Sequence, residues 1–72
     1  MDWRERISAS PNVCHGKPCI KGTRVMVSVV VDNLAVGESP DRILAGYPTL
    51  EKEDIEAALR YASEMIEKRQ KD

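Results

Sequence analysis

Two cysteines are all that this 72-residue chain contains. That is too few for the disulfide framework that staples small secreted domains. The N-terminus has no basic segment followed by an apolar one, so no secretory leader is expected. No apolar run approaches the ~20 residues that cross a bilayer. There is no glycine-rich phosphate loop, repeat, low-complexity stretch or linker. These absences point to one reduced, cytoplasmic domain over residues 1–72. A domain of this size buries only about 60% of its unfolded surface. Small scaffolds gain stability by association, so a homodimer is the expected state.

Net charge is small, and its placement is uneven. The balance over the whole chain is −1. Residues 1–26 carry five cations against two carboxylates, a balance of +3. Residues 27–72 carry six cations against ten carboxylates, a balance of −4. The front of the chain therefore suits an anion, and the rear a basic partner.

The cations of the front half concentrate in Gly16-Lys17-Pro18-Cys19-Ile20-Lys21-Gly22-Thr23-Arg24. Pro18 favours extended backbone and sets Lys17 extended as well. Lys21-Gly22 is a two-residue turn in which glycine can take a positive φ. The run predicts a tight, basic β-hairpin with Cys19-Ile20 and Thr23-Arg24-Val25 as its arms. Ile7 to Ala9 is a candidate short strand, Ser10-Pro11-Asn12 a turn, and residues 1–6 a loosely ordered lead.

Three helices are expected after this arm, which covers about residues 7–25. The stretch from Val27 fits two patterns. Val25, Val27, Val29 and Val31 alternate like a strand, while Val27, Val30, Val31 and Leu34 follow helical spacing. The continuation through Leu34-Ala35 and the stop at Gly37 favour a helix. Ser39-Pro40 opens a short second helix with Ile43 and Leu44 as core contacts. In the third helix, Ile55, Ala58, Leu59, Ala62 and Ile66 form one apolar stripe flanked by Tyr61 and Met65. Glu51, Glu53, Asp54 and Glu56 crowd its start, and Lys68, Arg69 and Lys71 its end, as the helix dipole favours.

The candidate chemistry narrows quickly. Cys14, His15 and Cys19 are only three metal-ligand types, and adjacent Cys14-His15 suits neither one ion nor a catalytic pair. No catalytic residue, metal or cofactor is expected, and the chain is too short to wrap a typical substrate pocket. The positive candidates are nucleic-acid contacts from Lys17, Lys21, Thr23 and Arg24, with Arg4 and Arg6 nearby. Four carboxylates at the start of the third helix would repel a duplex from the position where a recognition helix reads bases. The basic arm therefore has to carry the attraction. The third helix and the tail Glu67 to Asp72 are the candidate surface for a basic protein partner.

Gly16-Lys17-Pro18-Cys19-Ile20-Lys21-Gly22-Thr23-Arg24-Val25 resembles the G-K-P-x-I-x-G-T-R-(hydrophobic) signature of a small prokaryotic family, the domain-of-unknown-function family 433. Leu34-Ala35 before Gly37, Ser39-Pro40 with Ile43-Leu44, Tyr47-Pro48, and Glu53-Asp54-Ile55 with Ala57-Ala58-Leu59 and Tyr61-Ala62 match in order over residues 7–62. The resemblance implies a mainly α, dimeric protein with a three-helix, homeodomain-like (helix-turn-helix) core and an N-terminal β-hairpin arm. Pairing of the hairpins across subunits, which would bury the apolar sides of Ile20 and Val25 and satisfy the strand edges, is the arrangement expected from the residues. The resemblance also implies a non-enzymatic, antitoxin-like partner of a PIN-like ribonuclease toxin that, as a dimer, binds its own promoter DNA. A protein-interaction module without DNA binding is the alternative. Two helix ends depart from the family pattern: Glu51 stands where a Ser or Thr cap is usual, unless Thr49 caps one turn earlier, and Asp41-Arg42 weakens a capping box from Ser39.

Overall fold

The ambiguous valine run folds as a helix. In the computed structural model, which describes residues 2–9, 12 and 14–70, α1 spans Val27–Ala35. Val27 and Val30 are buried, and Val31 and Leu34 pack against the same core. Burial of one helical face outweighs the strand preference of β-branched side chains. The helix stops where expected. Gly37 takes φ +95°, its N–H bonds the Leu34 carbonyl, and the Glu38 N–H bonds the Asn33 carbonyl. This pair of bonds is a Schellman motif and depends on the left-handed glycine.

α2 spans Pro40–Gly46. Ser39 caps it by accepting from the Arg42 N–H at 3.3 Å, with Pro40 in the first turn. Arg42 carries only donors and cannot accept from the Ser39 N–H, so no capping box closes; its side chain donates to Glu38 at 3.2 Å instead. Ile43 is buried and Leu44 half-buried.

α3 spans Lys52–Gln70, about 28 Å at 1.5 Å per residue. Its expected stripe divides. Ile55 and Ala58 are buried and Ala62 half-buried, but Leu59 is 47% and Ile66 56% exposed. Ala57, which lies off the stripe, is fully buried instead. The reason lies in the partners. α3 packs against α1, α2 and the chain's front end together, so its covered face swings toward Ala57, Ala58 and Tyr61. Leu50 is buried just ahead of the helix.

The arm differs from a plain hairpin. β1 (Ile7–Ser8) pairs antiparallel with β2 (Cys19–Ile20), in the register Ile7↔Ile20 and Ser8↔Cys19. The expected second hairpin arm is not a strand. It meets β2 through an isolated bridge, Cys19↔Met26, and through the bonds Ile20 N–H to Val25 O and Val27 N–H to Pro18 O. β2 is thus bonded on both edges within one chain, and Ile20 is 1% exposed there. The burial expected from pairing across subunits is already achieved without a second copy. The turn expected at Ser10-Pro11-Asn12 falls mainly outside the described residues, as does the end of the tail.

The lead is not loose over residues 2–6. Trp3–Glu5 form a 3₁₀ turn, capped by Asp2 accepting from the Arg4 N–H. Trp3 packs edge-on against Tyr61 of α3, with ring centroids 4.9 Å apart. Such an aromatic contact adds about 1 kcal/mol to the burial itself.

Ile20→Ala should cost about 2–5 kcal/mol, the range for truncating a buried isoleucine. Val36→Ala, at a position 79% exposed, should change stability by less than about 0.5 kcal/mol. Urea denaturation followed by circular dichroism separates the two.

Candidate nucleic-acid interface

The basic run folds as two turns separated by β2. In the first, the Lys17 N–H bonds the Cys14 carbonyl at 3.0 Å. Between them His15 (φ 56°, ψ 35°) and Gly16 (φ 79°) take the inner positions of a type I′ turn. Cys14 is also left-handed, at φ 52°. In the second, the Thr23 N–H bonds the Ile20 carbonyl at 3.0 Å, across Lys21 and Gly22. Gly22 has φ +77° with open space where a Cβ would sit. Backbone conformation, rather than crowding, requires glycine there.

Thr23 is half-buried and works inside its own turn. Its hydroxyl donates to the Ile20 carbonyl at 2.8 Å and accepts from the Val25 N–H at 3.0 Å. Those bonds close Thr23 to Val25 into a local turn, and the chain rejoins β2 only at Val25, whose carbonyl accepts from the Ile20 N–H.

Lys17, Lys21 and Arg24 are exposed, and no carboxylate among the described residues pairs with them. Lys17 and Arg24 line one concavity of about 400 Å³ with Asn12, Cys14, His15 and Met26. Arg24 also borders a second, of about 410 Å³, with Ser8, Cys19, Gly22 and Thr23. Lys21 stands apart at the tip of the second turn. Its N–H bonds the Arg6 carbonyl, which ties that tip to β1's approach.

Arg4 and Arg6, expected as phosphate contacts, are committed elsewhere. Arg6 reaches Asp54 at 2.9 Å and Glu51 at 3.3 Å. The hydrogen bond to Asp54 raises the Arg6 guanidinium above its ordinary value. Asp54 is 6% exposed and also accepts from the Glu51 N–H at 2.8 Å, the back-reaching half of a capping box. The job of the missing Ser or Thr is done by backbone: the Asp54 N–H bonds the Glu51 carbonyl at 2.9 Å. Arg4 stacks 4.5 Å above the Trp3 ring and reaches Glu64 at 3.2 Å. Its backbone N–H holds the Asp2 carboxyl below the usual carboxylate range.

The two thiols point into the arm. Cys14 Sγ donates to the Arg24 carbonyl at 3.3 Å, and Cys19 Sγ to the Thr23 carbonyl at 3.8 Å. Burial pushes the Cys19 thiol up, with the neighbouring Cys14 adding to the effect. A protonated, buried thiol is a poor nucleophile. No cluster of three metal-ligand side chains occurs among the described residues, and none of their helices is long and apolar enough to cross a membrane.

His15 was not among the residues expected to meet an anion. The available signal was His15-Gly16 as a type I′ pair, since histidine is among the side chains that tolerate left-handed backbone.

Together these features define a small three-helix protein whose strand-and-turn arm displays unpaired cations. The chain belongs to the family described as "Protein of unknown function (DUF433)", matching it over residues 7–62. Uncharacterized protein y4eO of Sinorhizobium fredii (strain NBRC 101917 / NGR234) is 41% identical over 59 residues, which are 82% of this chain and 27% of that protein. The crystal structure of a DUF433 member protein from Anabaena variabilis ATCC 29413 shares the fold, with a TM-score of 0.80 at 35% identity. That match covers 88% of this chain and 62% of the other. The chain thus spans about a quarter of the first relative and less than two thirds of the second.

Removing the carboxylate that ties arm to helix should be costly. Asp54→Ala leaves Arg6 and the Glu51 N–H without their partner and should destabilise the fold by about 1–3 kcal/mol. A double-mutant cycle with Arg6→Ala, read by urea denaturation, should return a coupling of at least about 0.5 kcal/mol.

Proposed function

We propose that this chain is a non-enzymatic, antitoxin-like protein that binds double-stranded DNA through its two basic turns, acting as a dimer. The observation that carries this reading is the division among the front-end cations. Arg4 and Arg6 are spent on α3 carboxylates and on Glu51 just ahead of them, while Lys17, Lys21 and Arg24 remain exposed without such partners among the described residues. Exposed, unpaired cations on rigid turns are the groups that gain most from releasing the counterions of a phosphate backbone. Thr23 contributes by holding its turn in shape.

In this reading the three helices form a homeodomain-like, helix-turn-helix core in which α3 is not the principal DNA contact. Glu53 is exposed at its start and opposes a phosphate backbone, while Glu56 pairs with Arg60 at 3.1 Å. The exposed Leu59 and Ile66 of α3, with the tail from Glu67, are the surface assigned to the protein partner, a PIN-like ribonuclease toxin. The same two side chains favour the second reading, an interaction module without DNA binding, since exposed apolar patches mark protein contacts.

Duplex binding by the wild type and by Lys17→Ala/Lys21→Ala/Arg24→Ala, measured by fluorescence anisotropy across a salt series, decides between the readings. The triple variant should bind more weakly, and its salt slope should be shallower by about one for each phosphate that the variant no longer neutralises. Equal affinity and slope would leave the interaction module as the better account.

A further inference from the structure

Beside the three cations just assigned to DNA lies a fourth basic group that can change its charge. His15 is the chain's one histidine. The left-handed backbone of Cys14 and His15 (φ 52° and 56°) turns the chain sharply here. Consecutive non-glycine residues in that region carry strain that surrounding structure must hold, and such strain concentrates at functional surfaces. The holding contact is visible. Cys14 Sγ donates to the Arg24 carbonyl at 3.3 Å, which fastens the first turn to the segment carrying Arg24. His15 is exposed and lines the same concavity of about 400 Å³ as Lys17 and Arg24.

The concavity's other lining residues are Asn12, Cys14 and Met26. The charged and titratable groups facing His15 across it are therefore Lys17, Arg24 and the Cys14 thiol. No carboxylate lines it among the described residues. A recess with two fixed cations and no fixed anion favours an oxyanion guest. A guest of that charge in turn favours the imidazolium form of a neighbouring histidine.

We propose that His15, Lys17 and Arg24 form one phosphate-binding recess, in which a phosphodiester group of the bound strand contacts the imidazole ring, so that DNA is bound more tightly when that ring is protonated. This deepens the DNA-binding reading and rests on it for the source of the phosphate. The recess itself can be tested apart from DNA. Lys21, at the other turn, takes no part in it.

The test compares wild type with His15→Asn, because asparagine tolerates left-handed backbone and carries no titrating charge. Two probes are used: a short DNA duplex, and inorganic sulfate as a small oxyanion whose own charge is constant across the histidine range. One added phosphate contact at about 0.15 M salt multiplies affinity about fivefold. Wild-type duplex affinity should therefore rise about fivefold more than that of His15→Asn between about pH 7.5 and about pH 5.5. Sulfate should displace the single imidazole resonance in the NMR spectrum at the lower pH, and Lys17→Ala/Arg24→Ala should abolish that displacement.

Each outcome decides something. Duplex binding with the same pH dependence in wild type and His15→Asn overturns the recess and leaves the DNA-binding reading intact. A sulfate response at His15 without duplex binding supports the recess as a small-oxyanion site and overturns the DNA reading. An imidazole resonance that neither sulfate nor duplex moves overturns the recess. Circular dichroism melts of all variants confirm that the proteins compared are folded.

Discussion

A strand of two residues, bonded along both edges, holds the two basic turns in place. Cys19–Ile20 pairs with Ile7–Ser8 on one side and meets Val25 to Val27 on the other. Both of its side chains are buried, Cys19 and Ile20 each 1% exposed, so the strand is covered on its two faces as well as bonded on its two edges. Both basic turns leave from its ends. The first delivers Lys17 and the second Lys21, with Arg24 following where the chain runs into α1. The backbone of each turn is set by its own bonds and by left-handed residues, so the cations sit on a rigid support. Pre-formed turns have already lost the backbone entropy that a disordered basic segment would lose on binding; the exposed lysine side chains still have theirs to lose.

The second constraint is electrostatic and works inside the molecule. The opposite charges of the two halves suggest a bipolar protein, with a basic front facing one partner and an acidic rear facing another. Part of that asymmetry is consumed within the fold. Glu51 and Asp54 hold Arg6, and Glu64 holds Arg4. The acidic start of α3 thus anchors the arm before it presents anything to a partner. Buried Asp54 is the pivot of the arrangement, capping the helix and holding Arg6 at once. The surface left over is smaller and sharper than composition implies: three unpaired cations at the turns, and exposed Leu59 and Ile66 on α3.

Much of this was legible in the residues. Val27, Val30, Val31 and Leu34 announced the inward face of α1, Gly37 its end, and Ser39-Pro40 the start of α2, because each rests on local rules of helix geometry and capping. Ile7 and Cys19-Ile20 were legible as extended segments, and Gly22 as a turn. What stayed hidden depended on partners distant in sequence. Nothing near Ile7 announces that it pairs with Ile20. The apolar spacing of α3 counted Leu59 and Ile66 as core because periodicity records a stripe without recording how much of it other elements cover. Arg6 looked free until Asp54, 48 residues away, came beside it. Trp3 looked like part of a loose lead until Tyr61 offered an edge to pack on. At the candidate site the positions of Lys17, Lys21 and Arg24 were readable from the run itself. The grouping of Lys17 with Arg24 and His15, leaving Lys21 apart, required the left-handed turn at Cys14-His15-Gly16.

The central claim is that the outward-facing turns, rather than the start of α3, meet an anionic duplex. The most direct measurement is a two-dimensional amide NMR titration of the ¹⁵N-labelled protein with duplex DNA. The account predicts that shift changes gather between His15 and Arg24 and spare Lys52 to Glu56. Changes concentrated at the start of α3 with a silent arm, or no change anywhere on addition of duplex, would contradict it.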